Sequence, residues 1–261
     1  MKRKKSNTNL YEKCKWLHFY LLLFATIAIV LIGCKKDQNS PKSPIISKSP
    51  IIFNSNLTYG SLTDQDGNTY KTIQIGTQTW MAENLRTTKY RNGVPIPEVT
   101  YKWKDLTTGA YCNYNNDTSL VNIYGRLYNW YAVKDSRSLA PTGWHIPSNA
   151  EWATLSTYLI GESFAGGKLK EQGTTHWSRP NKGATNETGF TALPGGLNGN
   201  VDAQDQFSGI GLEGYWWTTN ENSLGGAAYS YCLYYYYPSS NPFAHPYLGQ
   251  TNGFSVRCLK D

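Results

Sequence analysis

Polar and apolar residues alternate through Tyr70-Lys71-Thr72-Ile73-Gln74-Ile75, the period of a half-buried strand. The turn signal Asp64-Gln65-Asp66-Gly67-Asn68 precedes it. Gly76-Thr77-Gln78 then reverses the chain into Thr79-Trp80-Met81-Ala82, so the pattern predicts a hairpin. The period changes further on. Leu127, Trp130 and Tyr131 fall at helical spacing and predict a helix over 124–133. Ser148-Asn149-Ala150-Glu151 has the form of a capping box, with Trp152, Leu155 and Leu159 following on one face and Gly161 as a stop. Beyond Gly161, Gly and Asn are dense and no further helix is expected. Short strands are expected over 215–219, 228–237 and 253–259. The pattern predicts an α+β fold of two helices, short twisted antiparallel sheets and long loops.

The N-terminus follows a different logic. Lys2, Arg3, Lys4, Lys5, Lys13 and Lys15 lead into an apolar run over 16–32, which ends in Leu31-Ile32-Gly33-Cys34. A run of this length lies near the lower limit for a plain membrane span. A small residue before Cys is instead the mark of lipoprotein processing, which predicts a signal peptide over 1–33 and lipidation at Cys34. Lys35, rather than an immediate Asp, agrees with outer-membrane sorting. The expected location is the outer membrane, lipid-anchored and facing the cell surface. Residues 34–57 repeat Ser, Pro, Lys and Asn, as in Pro41-Lys42-Ser43-Pro44 and Ser47-Lys48-Ser49-Pro50, and are expected to be a tether. The folded domain is expected over 58–261.

Removing residues 1–33 changes the charge picture. The whole chain carries a formal +7, whereas residues 34–261 hold 19 basic and 17 acidic side chains. Near neutrality removes the support for a nucleic-acid partner. Three thiols besides Cys34 remain: Cys112, Cys232 and Cys258. In an oxidising compartment Cys232 and Cys258, both in strand-like runs, are the candidate disulfide, with buried reduced thiols as the alternative.

No catalytic residue, metal or cofactor is expected. The stretch from Gly161 to Lys168 resembles a phosphate loop, but its spacing is one residue too long and Leu169 stands where Ser or Thr is needed. His145, His176 and His245 are far apart. Asp64, Asp66 and Asn68 have calcium-like spacing without the Gly and Glu of a calcium loop. Glu151 and Glu187 could pair as acid and base, but Glu151 already has a capping role. The unusual run is Tyr229-Ser230-Tyr231-Cys232-Leu233-Tyr234-Tyr235-Tyr236-Tyr237. As a strand it would place Tyr229, Tyr231, Tyr235 and Tyr237 on one side and Tyr234 and Tyr236 on the other. Both sides are not expected to be core, so some phenols should face outward. Tyr with Ser and Asn is also the composition of recognition loops. The ligand-binding candidates are Trp216, Trp217, Tyr229, Tyr231, Tyr234, Tyr235, Tyr236, Tyr237, Asn241 and Tyr247. The expected ligand is a polysaccharide or a surface protein; a Tyr-rich edge strand with no ligand is the alternative.

Several ordered motifs together resemble one family. They are Asp66-Gly67-Asn68-Thr69-Tyr70-Lys71-Thr72, Gly76-Thr77-Gln78-Thr79-Trp80-Met81-Ala82-Glu83-Asn84-Leu85 and Tyr124-Gly125-Arg126-Leu127-Tyr128-Asn129-Trp130-Tyr131-Ala132. Pro141-Thr142-Gly143-Trp144-His145-Ile146-Pro147-Ser148, Glu151-Trp152, Thr188-Gly189-Phe190-Thr191-Ala192-Leu193-Pro194-Gly195-Gly196 and Gly253-Phe254-Ser255-Val256-Arg257-Cys258 follow. Over roughly residues 58–261 the chain resembles the Fibrobacter succinogenes major paralogous domain family. The resemblance implies a surface or secreted lipoprotein of the Bacteroidetes or Fibrobacteres, without an established activity. It also implies a fold distantly similar to the formylglycine-generating and C-type-lectin-like domains. The modifying enzyme uses a reactive cysteine pair, and nothing flanking Cys232 or Cys258 matches that motif. Arg179-Pro180-Asn181 lacks the carboxylate of the lectin calcium motif. In the family a Cys often precedes Pro-Thr-Gly-Trp, where this chain has Ala140, and the resemblance then makes Cys232 the substitute partner of Cys258. Residues 215–250 occupy the place where some lectin-fold proteins vary their ligand contacts.

Overall fold

The hairpin predicted around Gly76 forms between β2 (Thr69–Ile75) and β3 (Gln78–Met81). β1 (Gly60–Thr63) pairs with β2 across the Asp64 turn. Asp64 caps that turn by accepting from the amides of Asp66 and Asn68, each at 2.9 Å, and from the Tyr70 hydroxyl at 2.6 Å. Asp66 accepts from the Thr88 hydroxyl and pairs with Lys89 at 3.1 Å. The aspartates of this loop therefore knit the turn to the 87–89 segment. The computed structural model describes residues 46–201, 204–221, 227–243 and 249–261. Cys34, the 1–33 segment, His245 and Tyr247 lie outside the described residues.

Among the described residues, two five-stranded sheets and one two-stranded ladder make a mixed α+β architecture, mostly sheet. The first sheet runs β1-β2-β3-β12-β6, with β6 at Trp144–His145 and β12 at Leu259–Lys260. The second runs β11-β10-β9-β7-β8: β7 is Gly195–Val201, β8 Gln204–Ile210, β9 Glu213–Glu221, β10 Ala228–Tyr234 and β11 Ser240–Phe243. Its neighbours are antiparallel except β7 and β9, which meet in parallel at Gly196 and Gly214. β4 (Tyr111–Cys112) and β5 (Leu127–Tyr128) form the small ladder.

The helix predicted over 124–133 does not form. It is split into α1 (Val121–Tyr124), β5 and α2 (Trp130–Val133). Gly125 breaks it at φ 75°, packed so closely on Asn84 that a Cβ would approach within 2.6 Å. Asn129 then starts α2 by accepting from the Ala132 amide. The predicted capping box holds: α3 (Asn149–Tyr158) begins with Ser148 and Glu151 in reciprocal bonds. A fourth helix, α4 (Glu162–Leu169), contradicts the expectation of none beyond Gly161. Its Gly166 and Gly167 lower its intrinsic propensity, and packing outweighs that cost. It occupies the stretch that resembles a phosphate loop.

Three apolar clusters fill the domain among the described residues. The first contains Tyr70, Met81, Tyr128, Trp217, Cys232, Phe254 and Cys258. The second contains Trp80, Trp152, Phe190, Trp216, Tyr231 and Leu233, with Trp152 and Tyr231 stacked at 4.7 Å. The third gathers Trp103, Leu120, Ile123, Tyr124 and Leu127. Each large apolar side chain so buried contributes on the order of 1.5–3 kcal/mol.

Arg257, from the predicted closing strand, is buried among these aromatics. Its guanidinium donates to Asn84 Oδ1 at 2.8 Å, the Thr191 carbonyl at 2.9 Å and the Phe190 carbonyl, and lies 4.3 Å from the Phe190 ring centre. Burial pulls it down to about 9, so it stays charged at neutral pH and is solvated by carbonyls instead of water.

The expected tether is corrected over its C-terminal part. Residues 46–57 lie on the domain. Ile46 and Ile51 pack against the third cluster, and Phe53 and Leu57 against the second. The domain supplies the apolar surface that the segment lacks by itself.

Candidate functional site

The tyrosine run divides into a buried ribbon and an exposed tip. In β9 and β10 alternate residues enter different cores. Tyr215, Trp217, Cys232 and Tyr234 belong to the first cluster, whereas Trp216, Tyr231, Leu233 and Tyr235 belong to the second. The ribbon is covered on both faces, which corrects the expectation that one face must be open. Trp216, Trp217 and Tyr231 are therefore core residues and not ligand contacts. Trp216 Nε1 donates to Asn84 Oδ1 at 2.9 Å and Trp217 Nε1 to the Tyr128 carbonyl at 2.7 Å. Burial pushes the Tyr231 phenol up to about 12. Tyr229, Tyr234 and Tyr235 are half-buried. The Tyr234 hydroxyl meets that of Tyr215, which donates to Glu213 at 2.6 Å. Asn241 pairs through its backbone with Cys232.

β10 ends at Tyr234, and a turn replaces the strand predicted to 237. Alternation stops there, so Tyr236 and Tyr237 both project outward, 53% and 54% exposed. Their rings stand edge-to-face, 5.5 Å apart at 89°. Lys182 Nζ lies 5.9 Å from the Tyr236 ring centre. Two perpendicular phenols beside one ammonium offer a stacking face, two hydroxyls and a cation to a ligand.

The tip is held from below. Lys170, itself buried, donates from Nζ to the carbonyls of Tyr234, Tyr237 and Lys182, each at 3.0 Å. Burial lowers this lysine to about 8. The Tyr235 amide donates to the Leu212 carbonyl, and the Lys182 amide to the Tyr235 carbonyl, both at 2.8 Å. The Gly167 amide donates to the Pro238 carbonyl at 2.7 Å. A Cβ on Gly166 would come within 2.2 Å of the Ser239 oxygen, and one on Gly167 within 2.4 Å of the Gly183 oxygen. The glycine pair that resembles a phosphate loop lets α4 approach the tyrosine turn. The pair was a visible signal in the sequence; Lys170 and Lys182 carried none.

A second polar cluster is wholly buried. His176 Nδ1 and Glu171 Oε2 are 2.6 Å apart, and His176 Nε2 lies 3.0 Å from the Ser49 carbonyl. Neither partner can donate while Glu171 is ionised, so both bonds coexist only in the imidazolium. Burial pulls the imidazole down, but the bond and charge of Glu171 outweigh it and leave it above its ordinary value. His145 sits between Glu151 (2.8 Å) and Asp261 (2.7 Å), tying α3 to the C-terminal residue. Glu187 pairs with Lys168 at 3.0 Å, whereas the Glu151 carboxylate is taken up by His145 and Ser148.

The expected Cys232–Cys258 bridge is absent, and both are buried thiols. Cys232 is in the second sheet, and the Cys258 amide bonds to Met81 Sδ at 3.2 Å, next to the first sheet. Burial raises both thiols well above their ordinary value, which leaves little thiolate. No group of three or more His, Cys, Asp or Glu able to hold a metal occurs among the described residues. None of the helices among them is long and apolar enough to cross a membrane.

The sequence model of the Fibrobacter succinogenes major domain family matches residues 73–260. No curated protein and no solved structure matches the chain.

Proposed function

The chain belongs to the Fibrobacter succinogenes major domain family, and from that premise we propose that it is a lipid-anchored cell-surface protein that recognises a ligand without chemistry. The ligand is a polysaccharide or a surface protein, bound at the tip formed by Tyr236, Tyr237 and Lys182. The observation that carries the reading is the presentation of two exposed phenols, Tyr236 and Tyr237, on a turn whose Tyr234 and Tyr237 carbonyls are held by Lys170. A surface held in its bound shape loses little conformational entropy on association. The anchor rests on the Leu31-Ile32-Gly33-Cys34 processing signal and places the protein in the outer membrane. The C-type-lectin-like or formylglycine-generating-like topology is part of the proposal and rests on the motif order. The non-enzymatic part is supported by the burial of both C-terminal thiols.

The test is a binding screen of the mature chain across glycans and surface proteins, repeated with Tyr236→Ala/Tyr237→Ala. A ligand retained by wild type and lost by the double variant is expected. Absence of binding across the screen, or binding indifferent to both substitutions, would overturn the proposal.

One observation favours a second reading, a structural role in the envelope. Tyr158, Ile160 and Phe164 are exposed together around the α3–α4 junction, and Ile160 is held there at φ 74°, unusual for a β-branched residue. Under that reading, substituting exposed aromatics disturbs assembly and abolishes no soluble ligand binding.

A further inference from the structure

Asp66, Asn68, Arg86, Thr88, Asn122 and Arg126 line an open cleft of about 440 Å³ beside the Asp64 turn. Two guanidiniums form part of its wall. Arg126 Nε donates to the Arg86 carbonyl at 2.9 Å, and Arg126 Nη1 donates to Asn113 Oδ1. Arg86 Nη1 donates to Glu83 at 3.3 Å, and Arg86 Nη2 to the Thr69 carbonyl at 2.7 Å. Each guanidinium lies over a tyrosine ring, Arg86 4.4 Å from the centre of Tyr70 and Arg126 4.6 Å from that of Tyr111. Both are thereby held in place before any ligand arrives. Among the described residues, Arg126 Nη2 and Arg86 Nε have no acceptor. The charges of the cleft do not cancel. Asp66 pairs with Lys89 at 3.1 Å, and Glu83 with Arg86. Glu98 is engaged by Asn113 at 2.9 Å and the Tyr111 hydroxyl at 3.5 Å. Arg126 is half-buried and forms no ion pair among the described residues, so one positive charge is left over.

We propose that this cleft binds a hexuronate unit of an acidic glycan, with the sugar carboxylate on Arg126 and the ring hydroxyls on Asp66, Asn68 and Asn122. The carboxylate supplies the single negative charge that the cleft lacks, and a planar guanidinium matches a planar carboxylate as a point charge does not. Burial pushes the Asp66 carboxyl up, but hydrogen bonds from Thr88, Lys89 and Thr87 outweigh it and hold it below its ordinary value. Asp66 is therefore an acceptor only, which suits sugar hydroxyls and repels a dianion such as phosphate. Asn68 gives its Nδ2 to Asp64 at 3.0 Å and keeps its Oδ1 for a hydroxyl, and the exposed Asn122 adds an amide. A neutral sugar would leave Arg126 unbalanced. The cleft shares no lining residue with the tyrosine tip, and the proposal stands whether or not that tip has a ligand.

Isothermal titration calorimetry of the mature chain with digalacturonate tests the site, with galactobiose as the neutral counterpart and inorganic phosphate as the plain anion. Digalacturonate should bind, and more weakly as salt rises. Galactobiose and phosphate should bind at least about tenfold less tightly. Asn122→Asp, at an exposed position, puts a second carboxylate in the cleft and should weaken digalacturonate about tenfold with Tm unchanged. Arg126→Lys keeps the charge without the planar fork and should also weaken it about tenfold. Arg126→Met should abolish binding; if that variant fails to fold, Asn122→Asp decides. Tyr236→Ala/Tyr237→Ala should bind digalacturonate as wild type does. No binding of digalacturonate, equal binding of galactobiose or phosphate, or an affinity unmoved by Asn122→Asp would overturn the proposal. Loss of binding in the tip variant, with Asn122→Asp unaffected, would assign the uronate to the tyrosines and overturn it as well.

Discussion

The tyrosine ribbon and the segment before the domain are composed oppositely, and each behaves against its composition. Residues 229–237 hold six tyrosines and suggest a broad recognition face, yet Tyr231 is sealed in the core and Tyr234 and Tyr235 are half-covered. Residues 46–52 are Ser, Pro, Lys and Ile and suggest a free tether, yet they lie on the domain through five side chains that capture their polar groups. Exposure is decided by neighbours. A ribbon between two cores has no open face, and a weakly apolar segment is ordered where a groove is already built for it. Only where β10 gives way to a turn do phenols reach solvent.

The largest expected effect breaks the ribbon. Tyr231→Ala removes a ring stacked on Trp152 and should cost about 3–5 kcal/mol in urea unfolding. A cost under about 1 kcal/mol would show that the ribbon is not core. Gly167→Ala comes next. The added methyl meets the Gly183 carbonyl, and the expected loss is about 1–3 kcal/mol, offset in part by better helix propensity. Lys170→Met leaves three carbonyls without their ammonium. It should raise amide exchange at Tyr235 and Lys182 and weaken ligand binding while Tyr236 and Tyr237 remain present. Unchanged exchange would remove Lys170 from its positioning role.

The pH dependence tests the other region. The folded His176 imidazole lies above its unfolded value, so its contribution is complete below that unfolded value and is lost as pH rises through the folded one. Wild type should lose Tm relative to His176→Gln as pH rises above the unfolded imidazole value of about 6.5, with exchange rising first over 48–53. A constant difference across that range would show that the imidazolium does not hold the segment. The smallest stability effect belongs to the tip. Tyr236→Ala should change unfolding free energy by no more than about 0.5 kcal/mol, and its consequence should be read in binding instead.

Local chemistry alone determined the Asp64 turn, the hairpin around Gly76, the capping box at Ser148 and the family motifs from Asp66 to Cys258, because each depends on residues a few positions apart. Tertiary structure decided the rest. Gly125 against Asn84 split an apparent helix, and the approach of α4 to the tyrosine turn required the Gly166–Gly167 pair. The fold put Cys232 in the second sheet and Cys258 beside Met81 of the first, each as a buried thiol. The clamp at Lys170 and the groove at Glu171 and His176 join positions from 12 to 127 residues apart. Such meetings follow from how sheets stack and which faces are covered, and no periodicity in a single chain encodes them.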